Sequence, residues 1–154
     1  MKIVSISEDK KIENRISITP EIAKKYIGLG FEVSLSENYG FHLGINDEEY
    51  LKLGVKISKD ENEIITSGNI IVQLGLLSDD KNNLLKENQT LIGILNPYIN
   101  KEKIDNLVKK KINVFSLELL PRITRAQSMD ILSSQANLAG YKAVIEAFAN
   151  FEKA

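Results

Sequence analysis

Between Leu120 and Tyr141 the sequence reads LPRITRAQSMDILSSQANLAGY, with Arg122, Gln127, Asp130 and Ser133 in it and no histidine, cysteine or lysine. A hydrolase needs a nucleophile beside a base, and a metal centre needs imidazole, thiolate or clustered carboxylate ligands. Neither set is here. A guanidinium offers five fixed donors, an amide both donates and accepts, a carboxylate accepts, and a hydroxyl does either. That is equipment for gripping a polar ligand, with no acid/base residue and no metal ligand assigned. A local alternative stands beside it. Thr124 and Gln127 match a capping box, and Asp130 or Ser133 suits the N-cap of a following helix. Capping accounts for one or two of these residues and leaves the clustering of all four unexplained.

The elements around the loop say where it sits. Apolar runs of strand length alternate with helical patterns, which predicts an α/β fold with a parallel sheet. Strands are expected near residues 2–6, 31–35, 69–74, 90–95 and 112–119, and the last three are nearly continuous in apolar residues, as strands covered on both faces should be. The expected architecture is three-layered and flavodoxin-like, with helices on both faces of the sheet. Thr19 and Pro20 open the first helix, with Gly28 and Gly30 as stops. Asn46 and Glu49 fit a capping box for a short second one. Further helices fit at about 60–66, 78–87 and 101–110, and a long one at about 133–151. On that last helix Leu138, Tyr141, Ile145 and Phe148 make an apolar face, and Ala136, Gly140, Ala143 and Ala147 make a stripe of small residues. Packing on two sides is expected of it. The Arg122–Ser133 loop then follows a strand and precedes a helix, the edge at which open α/β sheets bind ligands.

Other residues carry less. The G-x-G of GLGFEV lies after a helix and before a strand, the reverse of a dinucleotide fingerprint, so it is read as a helix stop and turn. Without another glycine loop the chain alone has no usual phosphate cradle. His42 is a solitary histidine in a glycine-flanked turn and is given no role. Arg15 follows the first strand, where a ligand role competes with simple pairing to Glu13.

Length and charge set the outer limits. The 154 residues are read as a single domain, and 20 Lys and Arg against 21 Asp and Glu leave a net charge of −1. No basic footprint for nucleic acid is present. Lys109–Lys111 reads as the cationic end of a helix. With no cysteine there is neither a disulfide framework nor thiolate chemistry. No run approaches the roughly 20 apolar residues of a membrane span. The chain is expected to be soluble.

The loop also carries a resemblance. PRITRAQSMDILSSQANLAGYKAV closely resembles the signature of the NAD(H)-binding component of proton-translocating nicotinamide nucleotide transhydrogenases. NRISITP, LGFEVSL, TLIGILNP and SLELLPR support the match, which spans essentially the whole chain. Alanine dehydrogenase shares this N-terminal lobe. The resemblance implies that residues 1–154 are the first lobe of a two-lobed unit, whose Rossmann lobe with the glycine-rich loop is absent from this chain. It implies that Arg122, Gln127, Asp130 and Ser133 approach the nicotinamide of NAD(H), with NADP(H) on a partner component. The implied partners are the Rossmann lobe, the NADP(H)-binding and membrane components, and a second copy in a homodimer. The implied place is the cytoplasmic side of a membrane, as a peripheral component. A fragment lacking the phosphate cradle is expected to bind NAD(H) poorly and to be inactive alone.

Hydride transfer between two nicotinamides moves no separate proton at the reacting carbons. It requires the rings at near-attack distance, roughly 3–3.5 Å between reacting atoms, and no general base. The missing histidine and lysine are then no defect. An amino-acid dehydrogenase must also manage a substrate proton. In that branch a lysine follows the strand like NIIVQL and a histidine the strand like TLIGILN, where this sequence has Gln73 and Asn96. The glutamine also departs from transhydrogenases, which commonly keep a lysine there. An alanine-dehydrogenase-like lobe and a non-catalytic binding module of the same fold are the alternatives.

Overall fold

A computed structural model describes residues 1–152, in two compact units divided after Ser116. The first unit contains a six-stranded sheet in which every pairing is parallel. Its strands are β1 (Lys2–Ser5), β2 (Glu32–Ser36), β3 (Lys56–Ser58), β4 (Ile70–Val72), β5 (Thr90–Gly93) and β6 (Asn113–Ser116), in the order β3-β2-β1-β4-β5-β6. The five expected strands are all present, and among themselves they take the flavodoxin-like order. The strand not foreseen is β3, three residues at the edge of the sheet. Its addition extends the order to that of doubly wound dinucleotide-binding sheets.

Alternation along the strands builds a core on each face. Val4, Ile71 and Leu91 point to one side, where they meet Ile64 and Ile65 of α3 (Glu61–Ser67) and Leu107 of α5 (Lys101–Lys109). Ile3, Val33 and Leu35 point to the other, against Ala23 of α1 (Pro20–Gly28) and Tyr50 of α2 (Asp47–Lys52). The remaining helix of this unit, α4, covers Asp79–Leu84. Tyr39 and Tyr50 meet edge to face in the second cluster, with ring centroids 6.1 Å apart.

Local chemistry sets several boundaries as the residues predict. The Thr19 hydroxyl accepts the Ile22 N–H, Pro20 opens α1, and Gly30 just beyond its end takes φ +86°, which a side chain would strain. The Glu49 carboxylate accepts the backbone N–H of Asn46 at the start of α2. Gly93 has a different reason: a Cβ there would overlap the carbonyl oxygen of Gln73.

The second unit begins at Leu117. It holds 3-10 turns at Leu117–Leu119 and Thr124–Met129 and the helix α6 (Ile131–Ala149). Residues 117–119 are a turn instead of the expected end of β6. The expected two-sided packing of α6 is not found among the described residues. Leu138 is 61%, Tyr141 72% and Phe148 76% exposed. No helix among the described residues is long and apolar enough to cross a membrane.

Candidate functional site

Asp130 is the N-cap of α6. One of its carboxylate oxygens, Oδ1, accepts the Ser133 N–H at 3.0 Å, and the other, Oδ2, accepts the Ser133 hydroxyl at 2.7 Å. Arg122 lies on the same side, its Nε 3.9 Å from Asp130 Oδ2, and its side chain is 68% exposed against 16% for Asp130. Bonds from the Ser133 hydroxyl and N–H hold the Asp130 carboxyl below the ordinary aspartate range, with a smaller pull from the Arg122 charge. Gln127 is exposed on the Thr124–Met129 turn, and its carbonyl accepts the Asp130 N–H at 3.3 Å. The structure therefore brings together Arg122, Asp130 and Ser133, with Gln127 one turn before them. The Thr124–Gln127 capping box does not form: that turn starts after Ile123 with no side-chain cap, because Asp130 supplies the cap of α6.

A second polar cluster lies in the first unit, at the carboxyl ends of β1 and β4. These are the neighbouring strands at which the sheet order reverses, the place where open α/β sheets take ligands. Gln73 is buried there. Its Oε1 accepts the Ser5 hydroxyl at 2.7 Å and the Ile6 N–H at 3.0 Å, and its Nε2 donates to the Ile6 carbonyl and to Glu8 Oε1, both at 3.3 Å. The Tyr39 hydroxyl lies 2.8 Å from both Ser5 Oγ and Ser17 Oγ, and burial pushes its pKa up. Glu8 reaches from the loop after β1 to accept the Leu74 N–H at 2.6 Å. Burial also pushes Glu8 up, against the pull of the Leu74 and Gly75 N–H groups.

A cleft of about 570 Å³ opens beside this cluster, lined in part by Ile6, Glu8, Gln73, Ile94, Asn96 and Asn100. Of the residues singled out from the sequence, Arg15 lies on the strap after β1, its guanidinium gripping Glu13 at 2.9 and 2.6 Å. His42 sits in a short 3-10 turn, its Nε2 2.8 Å from the Asn14 carbonyl oxygen. Sequence reading missed Ser5, Glu8, Ser17 and Tyr39. The one signal available was Glu8, an acid just past the end of a buried strand.

The family model described as "Alanine dehydrogenase/PNT, N-terminal domain" matches residues 5–139. The chain belongs to that family. Among members of the alanine dehydrogenase/PNT N-terminal family, it is 44% identical to an NAD(P) transhydrogenase alpha subunit of Rickettsia prowazekii, over 100% of this chain and 41% of the relative. The crystal structure of transhydrogenase from Sinorhizobium meliloti superposes with a TM-score of 0.89 at 37% identity, over 99% of this chain and 46% of that one. An alanine dehydrogenase of Methanococcus maripaludis is more distant, 27% identical over 86% of this chain and 35% of its own length. The chain thus spans less than half the length of the relatives it matches.

Proposed function

We propose that this chain is the N-terminal lobe of the NAD(H)-binding component of a proton-translocating transhydrogenase and supports hydride transfer between NAD(H) and NADP(H). The observation that carries the reading is the Arg122–Asp130–Ser133 arrangement, in a chain similar along its whole length to a transhydrogenase alpha subunit. A nicotinamide carboxamide presents one carbonyl acceptor and one NH2 donor. The exposed guanidinium of Arg122 matches the acceptor, and the amide of Gln127 can take either partner. Asp130, fixed by Ser133, keeps an anion beside Arg122 and limits where that guanidinium points. Bound nicotinamides supply the redox chemistry, one ring giving a hydride and the other receiving it. These residues orient and position, and none has to move a proton.

The rest of the machinery lies on partners: a Rossmann lobe with a glycine-rich phosphate cradle, and NADP(H)-binding and membrane components. The component works as a homodimer, peripheral on the cytoplasmic side of the membrane. The alanine-dehydrogenase-like alternative asks for a substrate cation at the carboxyl end of β4 and an acid/base group after β5. Gln73 is uncharged with both amide atoms bonded inside the protein, and Asn96 follows β5. Neither supports that chemistry.

The test is hydride transfer from NADH to an NADP⁺ analogue, with this lobe joined to a nucleotide-binding lobe and its NADP(H) partner. Transfer that depends on this lobe supports the reading. Pyruvate- and ammonia-dependent oxidation of NADH would instead establish the dehydrogenase alternative, and no redox turnover with either partner set would leave a binding module. Calorimetry of the chain alone with NADH should show weak binding or none.

A further inference from the structure

The loop from β1 to α1 is tied down at both ends and held between them chiefly by one carboxylate. At its start the Ser7 N–H donates to Ser36 Oγ at 2.9 Å, and the two hydroxyls lie 3.1 Å apart. At its end Ser17 is knotted into the buried polar cluster. Its hydroxyl donates to the Val72 carbonyl at 3.0 Å, and its N–H donates to the Tyr39 hydroxyl at 3.1 Å. The stretch between coheres by itself. The N–H groups of Ile12 and Glu13 donate to the Asp9 carbonyl at 2.9 Å, and Arg15 clasps Glu13.

The stretch meets the rest of the sheet edge through Glu8, which accepts from Leu74 N–H and Gln73 Nε2, and meets the far side through the exposed His42–Asn14 contact. Glu8, Asp9, Ile12 and Glu13 form one wall of the 570 Å³ cleft, with Ile12 85% exposed at its rim. We infer that residues 8–16 are a strap across the carboxyl-edge cleft, rooted at Ser7 and Ser17 and released at Glu8, so that the Glu8 contact with Leu74 and Gln73 sets how far the cleft opens.

The latch is poised because its charged form is held at a cost. Burial outweighs the two backbone N–H groups, and Glu13 adds repulsion, so the Glu8 carboxyl lies above its ordinary value of 4.5. The other charges facing the cleft are Asp9 and Glu13 on the strap, Glu61 of α3, Lys81 of α4 and Lys103 of α5. Lys81 pairs with Glu61 at 3.0 Å and Lys103 with Asp79 at 2.6 Å, so neither cation is directed to Glu8. A latched Glu8 holds its proton more tightly than a released, solvated one. Ionisation therefore favours release, and the strap loosens as pH rises through the Glu8 range. The inference concerns the first unit alone and does not depend on the proposed redox role.

Backbone amide hydrogen exchange on the full chain tests it, comparing wild type with Glu8→Ala and Glu8→Gln. In Glu8→Ala the Leu74 amide and those of residues 9–16 should exchange faster by at least about tenfold, the scale of one lost charge-assisted bond. The amides of Ile71 and Leu91 in the core should be unchanged. Glu8→Gln keeps an acceptor without the charge and should match or exceed wild-type protection at Leu74. Unchanged Leu74 exchange in Glu8→Ala, or equal acceleration at Ile71 and Leu91, overturns the strap. Should Glu8→Ala fail to fold, the wild type still decides. Protection of Leu74, corrected for the intrinsic rate, must fall as pH rises above 4.5, and a flat profile overturns the latch.

Discussion

The Gln73 side chain is bonded to both polar groups of residue Ile6, accepting its N–H at 3.0 Å and donating to its carbonyl at 3.3 Å. This joins β1 to β4 beyond the last strand pairing, where an amide takes the place of a ladder rung. Gln73→Leu keeps roughly the volume and removes the bonds. It should destabilise by about 1–3 kcal/mol for each buried group left unpaired, with the Ser5 hydroxyl and the Ile6 N–H the first affected. Urea denaturation measures this, and a midpoint equal to wild type would mean that the bridge contributes nothing.

Arg122→Ala and Asp130→Asn should slow hydride transfer in the assembled enzyme while leaving the first unit folded. Arg122 is exposed and outside both core clusters, so its loss removes an orienting group without opening a cavity. Displacing a ring by about 1 Å can reduce rate on the order of a hundredfold. Stopped-flow transfer beside thermal melting separates the two effects. If Arg122→Ala lowers the melting point and the folded fraction reacts at full speed, the loop serves structure alone.

Leu138→Ala has a context-dependent outcome. At 61% exposure Leu138 has little to lose, so truncation in this chain alone should change stability by less than about 0.5 kcal/mol. A fully buried leucine would cost about 2–5 kcal/mol. Thermal melts of the isolated chain and of the assembled enzyme, each with and without the substitution, show whether a partner covers that face of α6. A large loss already in the isolated chain would contradict the exposed position.

Stability should carry a Glu8 signature in its dependence on pH. Because burial raises this carboxyl in the folded chain, the folded state holds the proton that the unfolded state has released above 4.5. Stability from this group therefore falls as pH rises from 4.5 through the raised value, and is level beyond it. Carboxyls held low, such as Glu13 beside Arg15, act in the opposite direction at lower pH. Subtracting the profile of Glu8→Gln isolates the Glu8 contribution, and a difference that does not slope in that window contradicts the burial argument.

What the sequence by itself determined was the local and the periodic. Strand-length apolar runs between helical patterns specify a parallel α/β sheet, because each strand must be covered on both faces. Thr19, Pro20, Gly30, Asn46 and Glu49 specify helix ends through neighbours a few residues away. The clustering of Arg122, Gln127, Asp130 and Ser133 was visible for the same reason: it lies within one short loop. Tertiary structure alone decided the rest. Edge strand β3 has three residues and no distinctive period, so only its pairing with β2 defines it. Ser5, Gln73, Tyr39 and Glu8 look like surface residues when read along the chain, since buried polar groups are tolerated only with partners and theirs lie far off in sequence. Gln73 and Ser5 are 68 residues apart, and it is the side-by-side pairing of β1 and β4 that makes them neighbours. For α6 the sequence specified an apolar helix, but exposure depends on what packs against it, and that is not written in the helix itself.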